Sequence, residues 1–133
     1  NPEEIKRLLE FSKTIVVVGL SANPSRPSNA VARYMQTQDY RIIPVNPNHQ
    51  AILGEFYFPS MIDIPPSISV DLVNVFRRTD AIPLVLEQTI QKGVGAIWMQ
   101  EDVVDLQAAQ RAESFGLTVV MDRCLLKEHN KYI

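Results

Sequence analysis

Short β-branched runs alternate with amphipathic stretches along nearly the whole chain, and this alternation limits the fold more than any other feature. "TIVVVG" (14–19), "YRIIPVNP" (40–47), "VDLVNVF" (70–76), "GAIWMQ" (95–100) and "LTVVM" (117–121) read as strands. The first of them is continuous rather than alternating, the pattern of a strand covered on both faces. Between them, "SNAVARYMQTQ" puts Ala30, Val31, Tyr34 and Met35 on one helical face, with Ser28 suited to cap it. "DAIPLVLEQTIQKG" aligns Ile82, Val85, Leu86 and Ile90 before Gly93 ends it, and "VVDLQAAQRAESFG" stops at Gly116.

The chain opens on a further helix, "NPEEIKRLLEFSK", with Asn1 as cap, Pro2 in the first turn and Glu3 and Glu4 at the positive end. Its tail, "DRCLLKEHNKYI", suits a short final helix. From Asn48 to Ser69 the pattern is less regular: "LGEFYFPS" suits a short edge strand, and "MIDIPPS" a turn of helix broken by Pro65 and Pro66.

Strands joined by helices need right-handed crossovers, so the expected fold is α/β, a Rossmann-like three-layer sandwich with a mostly parallel sheet. A length of 133 residues, with no repeat or linker, suits one domain over residues 1–133. Ligands of such sheets bind beyond the carboxyl ends of the strands. That rule selects 19–28, 46–48, 76–80 and 100–102.

Composition narrows the partners. A net charge of −2 disfavours nucleic acid as a general partner, and no apolar run approaches the length of a membrane span, so a cytoplasmic location is expected. One cysteine, Cys124, and two distant histidines, His49 and His129, lack metal-ligand spacing.

The loop "VVVGLSANPSRPS" (16–28) decides between ligand classes. A dinucleotide fingerprint needs three glycines, whereas only Gly19 is present, with Ser21 and Pro24 in the other two places. The acidic residue that accepts hydrogen bonds from a ribose at the end of the second strand is replaced by Asn46, and no P-loop motif occurs anywhere. Hydroxyls of Ser21, Ser25 and Ser28, the Arg26 guanidinium and a helix start suit a phosphate or pyrophosphate. The same residues also make ordinary turns and caps.

Taken in order, this loop, Tyr40-Arg41 followed by "IIPVNP", "LGE", "VDLVNVFRR", "IWMQ" and "MDRCLLKEH" resemble the CoA-binding domain family of small stand-alone Rossmann-like proteins. That family is itself similar to the N-terminal domain of the succinyl-CoA synthetase α-subunit. The resemblance runs from about Thr14 to His129; Asp39 stands where members commonly have glycine. It implies that coenzyme A lies across the carboxyl ends of the strands, with Gly19, Ser21, Ser25, Arg26 and Ser28 near its phosphates. Asn46 and Pro47 would line the nucleotide side. Phe76 would pack on adenine or the pantetheine arm, Arg77 and Arg78 would neutralise phosphate, and Met99 and Gln100 would border the thiol end.

Each position also has a plain structural reading. Paired arginines often end as solvated charge, Phe76 and Trp98 as core aromatics, with Trp98 expected in the core, and Asn46 as a turn brace. Cys124 reads as a small buried thiol; the other reading is a thiolate activated by Arg123. His129 is poorly placed to serve it as a base, and Asp122 and Arg123 are expected to pair with each other or with nearby loops. The synthetase relatives use a phosphohistidine in a separate domain, so a synthetase acting alone is not expected.

The expected function is non-catalytic binding of CoA or an acyl-CoA, as carrier, sensor or accessory protein. The rival is a small NAD(P)-dependent oxidoreductase of Rossmann type. An acyl-CoA enzyme or a second copy of the chain would be the protein partner; "FYF" (56–58) either supports a homodimer or closes the sheet edge.

Overall fold

A computed structural model describes residues 1–47 and 51–133. The chain opens with helix α1 (Pro2–Phe11), where the Asn1 side chain accepts from the Glu4 amide at 2.9 Å and the Glu4 carboxylate reaches back to Asn1. This reciprocal cap satisfies the Glu4 amide, which a first helical turn leaves without a partner, and pairs the Glu4 carboxylate with the Asn1 ammonium. Strand β1 (Thr14–Val18), helix α2 (Pro27–Thr37) and strand β2 (Arg41–Val45) follow.

A small antiparallel hairpin comes next, β3 (Ala51–Ile52) against β4 (Glu55–Phe56), before the alternation resumes. It continues as β5 (Leu72–Val75), α3 (Ile82–Gln91), β6 (Ala96–Met99), α4 (Leu106–Ser114), β7 (Thr118–Val120) and α5 (Leu125–Tyr132). The five longer-range strands form one parallel sheet in the order β2-β1-β5-β6-β7. The α/β, Rossmann-like architecture read from the sequence is the one observed.

Residue alternation along the strands divides the core into two layers. Val16, Val18, Val73, Val75, Ile97 and Met99 pack against Ile82, Val85 and Leu86 of α3 and Ala108 and Ala112 of α4. On the opposite face, Ile15, Val17, Leu72 and Trp98 meet Ile5 and Leu9 of α1, Val31, Ala32 and Met35 of α2, and Leu125 of α5. Trp98 is fully buried there, and its indole N–H donates to the Arg123 carbonyl at 2.8 Å, so the largest side chain in the core leaves no orphaned donor.

Connections differ from the sequence reading in two places. Helix α2 begins at Pro27 with Arg26 at the cap, because the fixed φ of proline suits a first helical turn. Ser28, expected as the cap, is buried inside that turn and accepts instead from the Ser21 amide at 3.0 Å. "LGEFYFPS" supplies one strand of the hairpin rather than a strand of the main sheet. Beyond the hairpin, Phe58 bonds the outer edge of β2: its amide donates to the Pro44 carbonyl at 3.0 Å, and the Asn46 amide donates to its carbonyl at 3.1 Å. Phe58 therefore closes a sheet edge, while Phe56 stays 72% exposed.

Candidate functional site

The strand order reverses between β1 and β5, since α2 leaves β1 on one face and α3 follows β5 on the other. The carboxyl edge at this switch point is where an open parallel sheet forms a crevice. Two segments meet there, Gly19 to Ser28 after β1 and Phe76 to Asp80 after β5. Sheet-like bonding carries both slightly past the strands: the Gly19 amide donates to the Val45 carbonyl and the Phe76 amide to the Val18 carbonyl, each at 2.9 Å.

The first loop is built largely by its own side chains. The Asn23 amide donates to Ser21 Oγ at 3.1 Å, the Ser25 amide and hydroxyl both donate to Asn23 Oδ1 at 3.0 and 2.8 Å, and Asn29 Nδ2 donates to the Ser21 carbonyl at 2.8 Å. Asn46 Nδ2 donates to the Leu20 carbonyl at 2.9 Å, which ties the end of β2 to the same loop. Small polar side chains thus take up the loop's own backbone groups, the Asx- and ST-turn chemistry that also suits tight turns. Ser25 spends its proton inside the loop, whereas Ser21 and Ser28 use their oxygens as acceptors and keep a hydroxyl proton to donate.

Two cavities flank this edge. One, of about 380 Å³ on the α2 side, is lined by Gly19, Ser21, Arg26, Pro27, Ser28 and Phe76. The other, of about 490 Å³ on the α3 side, includes Val18, Val45, Pro47, Ser60, Arg77 and Gln88 in its wall. Arg26 and Arg77 are exposed, one in each cavity, and neither has an ion-pair partner among the described residues. Arg78 instead pairs with Asp80 at 3.2 Å in open solvent, so part of its charge is already answered.

The structure therefore brings together Gly19, Ser21, Arg26, Ser28 and Phe76 in one wall, with Pro47 and Arg77 in the adjoining one. Ser25 lies on the exposed outer turn of the loop. Met99 and Gln100 are not brought to these cavities. Met99 is fully buried on the α3 side, and Gln100 is 5% exposed with its Oε1 accepting from the Leu125 amide at 3.2 Å, where it caps α5. Ser60 and Gln88, which bond each other at 3.2 Å across the α3-side cavity, escaped the sequence reading. Ser60 sits in the irregular stretch after the hairpin and Gln88 on a helical face, so neither carried a local signal. His49 and Asn48 lie outside the described residues.

The residues considered for chemistry are otherwise engaged. Cys124 is buried at the start of α5. His129 is buried as well; its Nδ1 lies 2.9 Å from the Tyr34 hydroxyl, and both Tyr34 and Tyr40 meet its ring edge-on. Burial holds the imidazole below its ordinary pKa, the condition in which Nδ1 can accept from a phenol. Asp122 turns to a loop, accepting from the Asp102 amide at 2.8 Å, and Arg123 lies 3.8 Å from Glu128.

Comparison with known proteins places the fold among solved relatives. The chain is 41% identical over 126 residues to Uncharacterized protein YneT of Bacillus subtilis (strain 168), covering 95% of this chain and 92% of that one. A solved structure described as a hypothetical protein from Pyrococcus horikoshii OT3 superposes with a TM-score of 0.94 at 32% identity, covering 99% of this chain and 92% of the other. Part of the ADP-forming acetate–CoA ligase II of Archaeoglobus fulgidus is 30% identical over 94 residues, covering 68% of this chain but 14% of that protein. The family described as CoA binding domain matches residues 13–130, and the chain belongs to that family.

Proposed function

We propose that the chain binds coenzyme A or an acyl-CoA across the carboxyl edge of the sheet and acts as a non-catalytic carrier, sensor or accessory protein. The observation that carries this reading is the pair of cavities on either side of the Gly19–Phe76 junction, each with one arginine that has no ion-pair partner among the described residues. Coenzyme A is long and carries phosphate at two separate places, a pyrophosphate and a ribose phosphate. Two guanidinium groups on opposite sides of a narrow crest suit that spacing of charge better than a single anion site does.

In this reading Ser21, Ser28 and Arg26 hold one phosphate group beside the start of α2, where the positive helix end adds to their effect. Arg77 takes the other, Pro47 lines the nucleotide, and Phe76 offers a half-buried ring for adenine or the pantetheine arm. Asn46 supports the arrangement indirectly, because its amide holds the Leu20 carbonyl. A nicotinamide cofactor fits less well: no carboxylate ends β2, and the loop has one glycine where three are needed.

The acetate–CoA ligases, part of which is similar to this chain, suggest the class of protein partner, an enzyme that makes or uses a CoA thioester. Equilibrium titration of the purified chain tests the reading directly. CoA is expected to bind far more tightly than NAD, with heat or fluorescence saturating at one ligand per chain. No detectable CoA binding at millimolar ligand would end it.

A further inference from the structure

Buried polar side chains are unevenly shared between the two core layers. Ser28, Asn29, Asn74, Glu128 and His129 belong to the side covered by α1, α2 and α5, whereas Thr89 stands on α3 and satisfies itself by donating to the Val85 carbonyl at 2.8 Å. Within the polar layer, Asn74 is unusual. It lies in register between Val17 of β1 and Trp98 of β6, at the centre of the sheet, with no exposed surface. Neither its Nδ2 nor its Oδ1 has a partner among the described residues. A leucine of similar size would avoid that burial penalty.

A second orphan stands in the same layer. Asn29, in the first turn of α2, is 2% exposed and gives its Nδ2 to the Ser21 carbonyl, while its Oδ1 has no partner among the described residues. It lies one helical turn before Ala32, which packs in one cluster with Val17 and Trp98, the two neighbours of Asn74. Both amides also lie towards the same end of the layer: Ser28, next to Asn29, and Phe76, two residues after Asn74, line the same cavity. Asn29 lacks a donor, and Asn74 lacks both a donor and an acceptor.

We infer that Asn29 and Asn74 share one internal hydration site, a single water lodged between α2 and β5 beneath the first loop. Such a water accepts from Asn74 Nδ2 and donates to Asn29 Oδ1, with its second proton free for Asn74 Oδ1 or a nearby carbonyl; buried waters commonly make two to four bonds of this kind. The resulting relay runs from the central strand through Asn74, water and Asn29 to the Ser21 carbonyl. It fixes the loop to the sheet from below, and it stands independently of which ligand the loop takes.

The test is a double-mutant cycle on the intact chain with Asn29→Leu and Asn74→Leu, read by urea unfolding, together with magnetisation transfer from water to side-chain amides in the native protein. Each single substitution strands the other amide, so the double variant should be more stable than additivity predicts, by about fivefold or more in the unfolding constant. The Asn74 NH₂ should also show direct transfer from a long-lived water. Additivity within about twofold overturns the inference. So does coupling without water transfer, since that identifies a direct bond between the two amides. Should either leucine variant fail to fold, the transfer measurement on the native chain decides alone, and its absence at Asn74 counts against the site.

Discussion

A Cβ placed on Gly19 would lie 2.5 Å from the Phe76 carbonyl oxygen and 2.9 Å from Arg77 Cδ, and Gly19 has a φ of +86°. The crest between the two cavities is thus a point where one strand end passes so close to the next that no side chain fits. Gly19→Ala should lower stability by more than about 2 kcal/mol, since backbone has to move as well as adopt a left-handed conformation. Gly116 supplies the control: its φ is +83°, but among the described residues nothing beyond its chain neighbours lies within 4 Å of its added Cβ. Gly116→Ala should lose only about 1–2 kcal/mol of conformational strain and leave CoA affinity unchanged. Denaturant unfolding and CoA titration of both variants check this; equal losses would show that crowding against Phe76 is unimportant.

Arg26→Ala and Arg77→Ala should each weaken CoA by about tenfold or more, because each removes charge-assisted bonds to phosphate. Neither should change the unfolding midpoint appreciably, since neither arginine has an ion pair to lose among the described residues. Arg78→Ala should have a smaller effect, its guanidinium being exposed and already beside Asp80. Calorimetric titration at two salt concentrations separates the cases, as a lost phosphate contact also flattens the salt dependence. If Arg78 proves more important than Arg77, the phosphate path runs outside the cavity and not through it.

How far the chain could be read before folding depended on whether the signal was local. The five strands of the main sheet were legible because runs such as "TIVVV" and "LVNV" are buried on both faces and so carry no polar interruption, Asn74 excepted. The two-residue strands of the hairpin carry no period at all. That Gly19, Ser21, Arg26, Ser28 and Phe76 would gather beyond the strand ends followed from their place after a strand, and they line one cavity. Met99 and Gln100 occupy an equivalent place, but which face a strand-end side chain takes depends on what packs there: α3 covers one, and α5 uses the other as a cap. The partnership proposed for Asn29 and Asn74 joins residues 45 positions apart, and it emerges only once β5 lies beside β1 with α2 packed over that face.

Gln100→Ala should therefore act first on stability. It removes the acceptor for the buried Leu125 amide, a loss of about 1–3 kcal/mol when the N–H finds no substitute. Gln100→Glu keeps an acceptor at that position and should recover most of the loss. Unfolding curves of the two variants, with CoA titrations alongside, are decisive. A large loss of affinity at unchanged stability would return Gln100 to the ligand site.

His129 should make stability fall in mildly acidic solution. Its ordinary pKa is 6.5, and burial lowers it in the folded chain, so the unfolded chain protonates first as the pH drops. Between 6.5 and the lower folded value the unfolded state binds more protons, and stability must rise with pH across that window. The contribution is complete above 6.5 and is lost as the pH falls through the folded value. Protonation also makes both ring nitrogens donors, so the 2.9 Å bond between Nδ1 and Tyr34 then requires the phenol oxygen to accept. His129→Leu removes the titrating group while keeping an apolar side chain between Tyr34 and Tyr40. Its unfolding free energy should be lower at neutral pH but flatter below 6.5 than that of the native chain. Parallel pH profiles for the two proteins would assign the acid sensitivity to carboxylates instead.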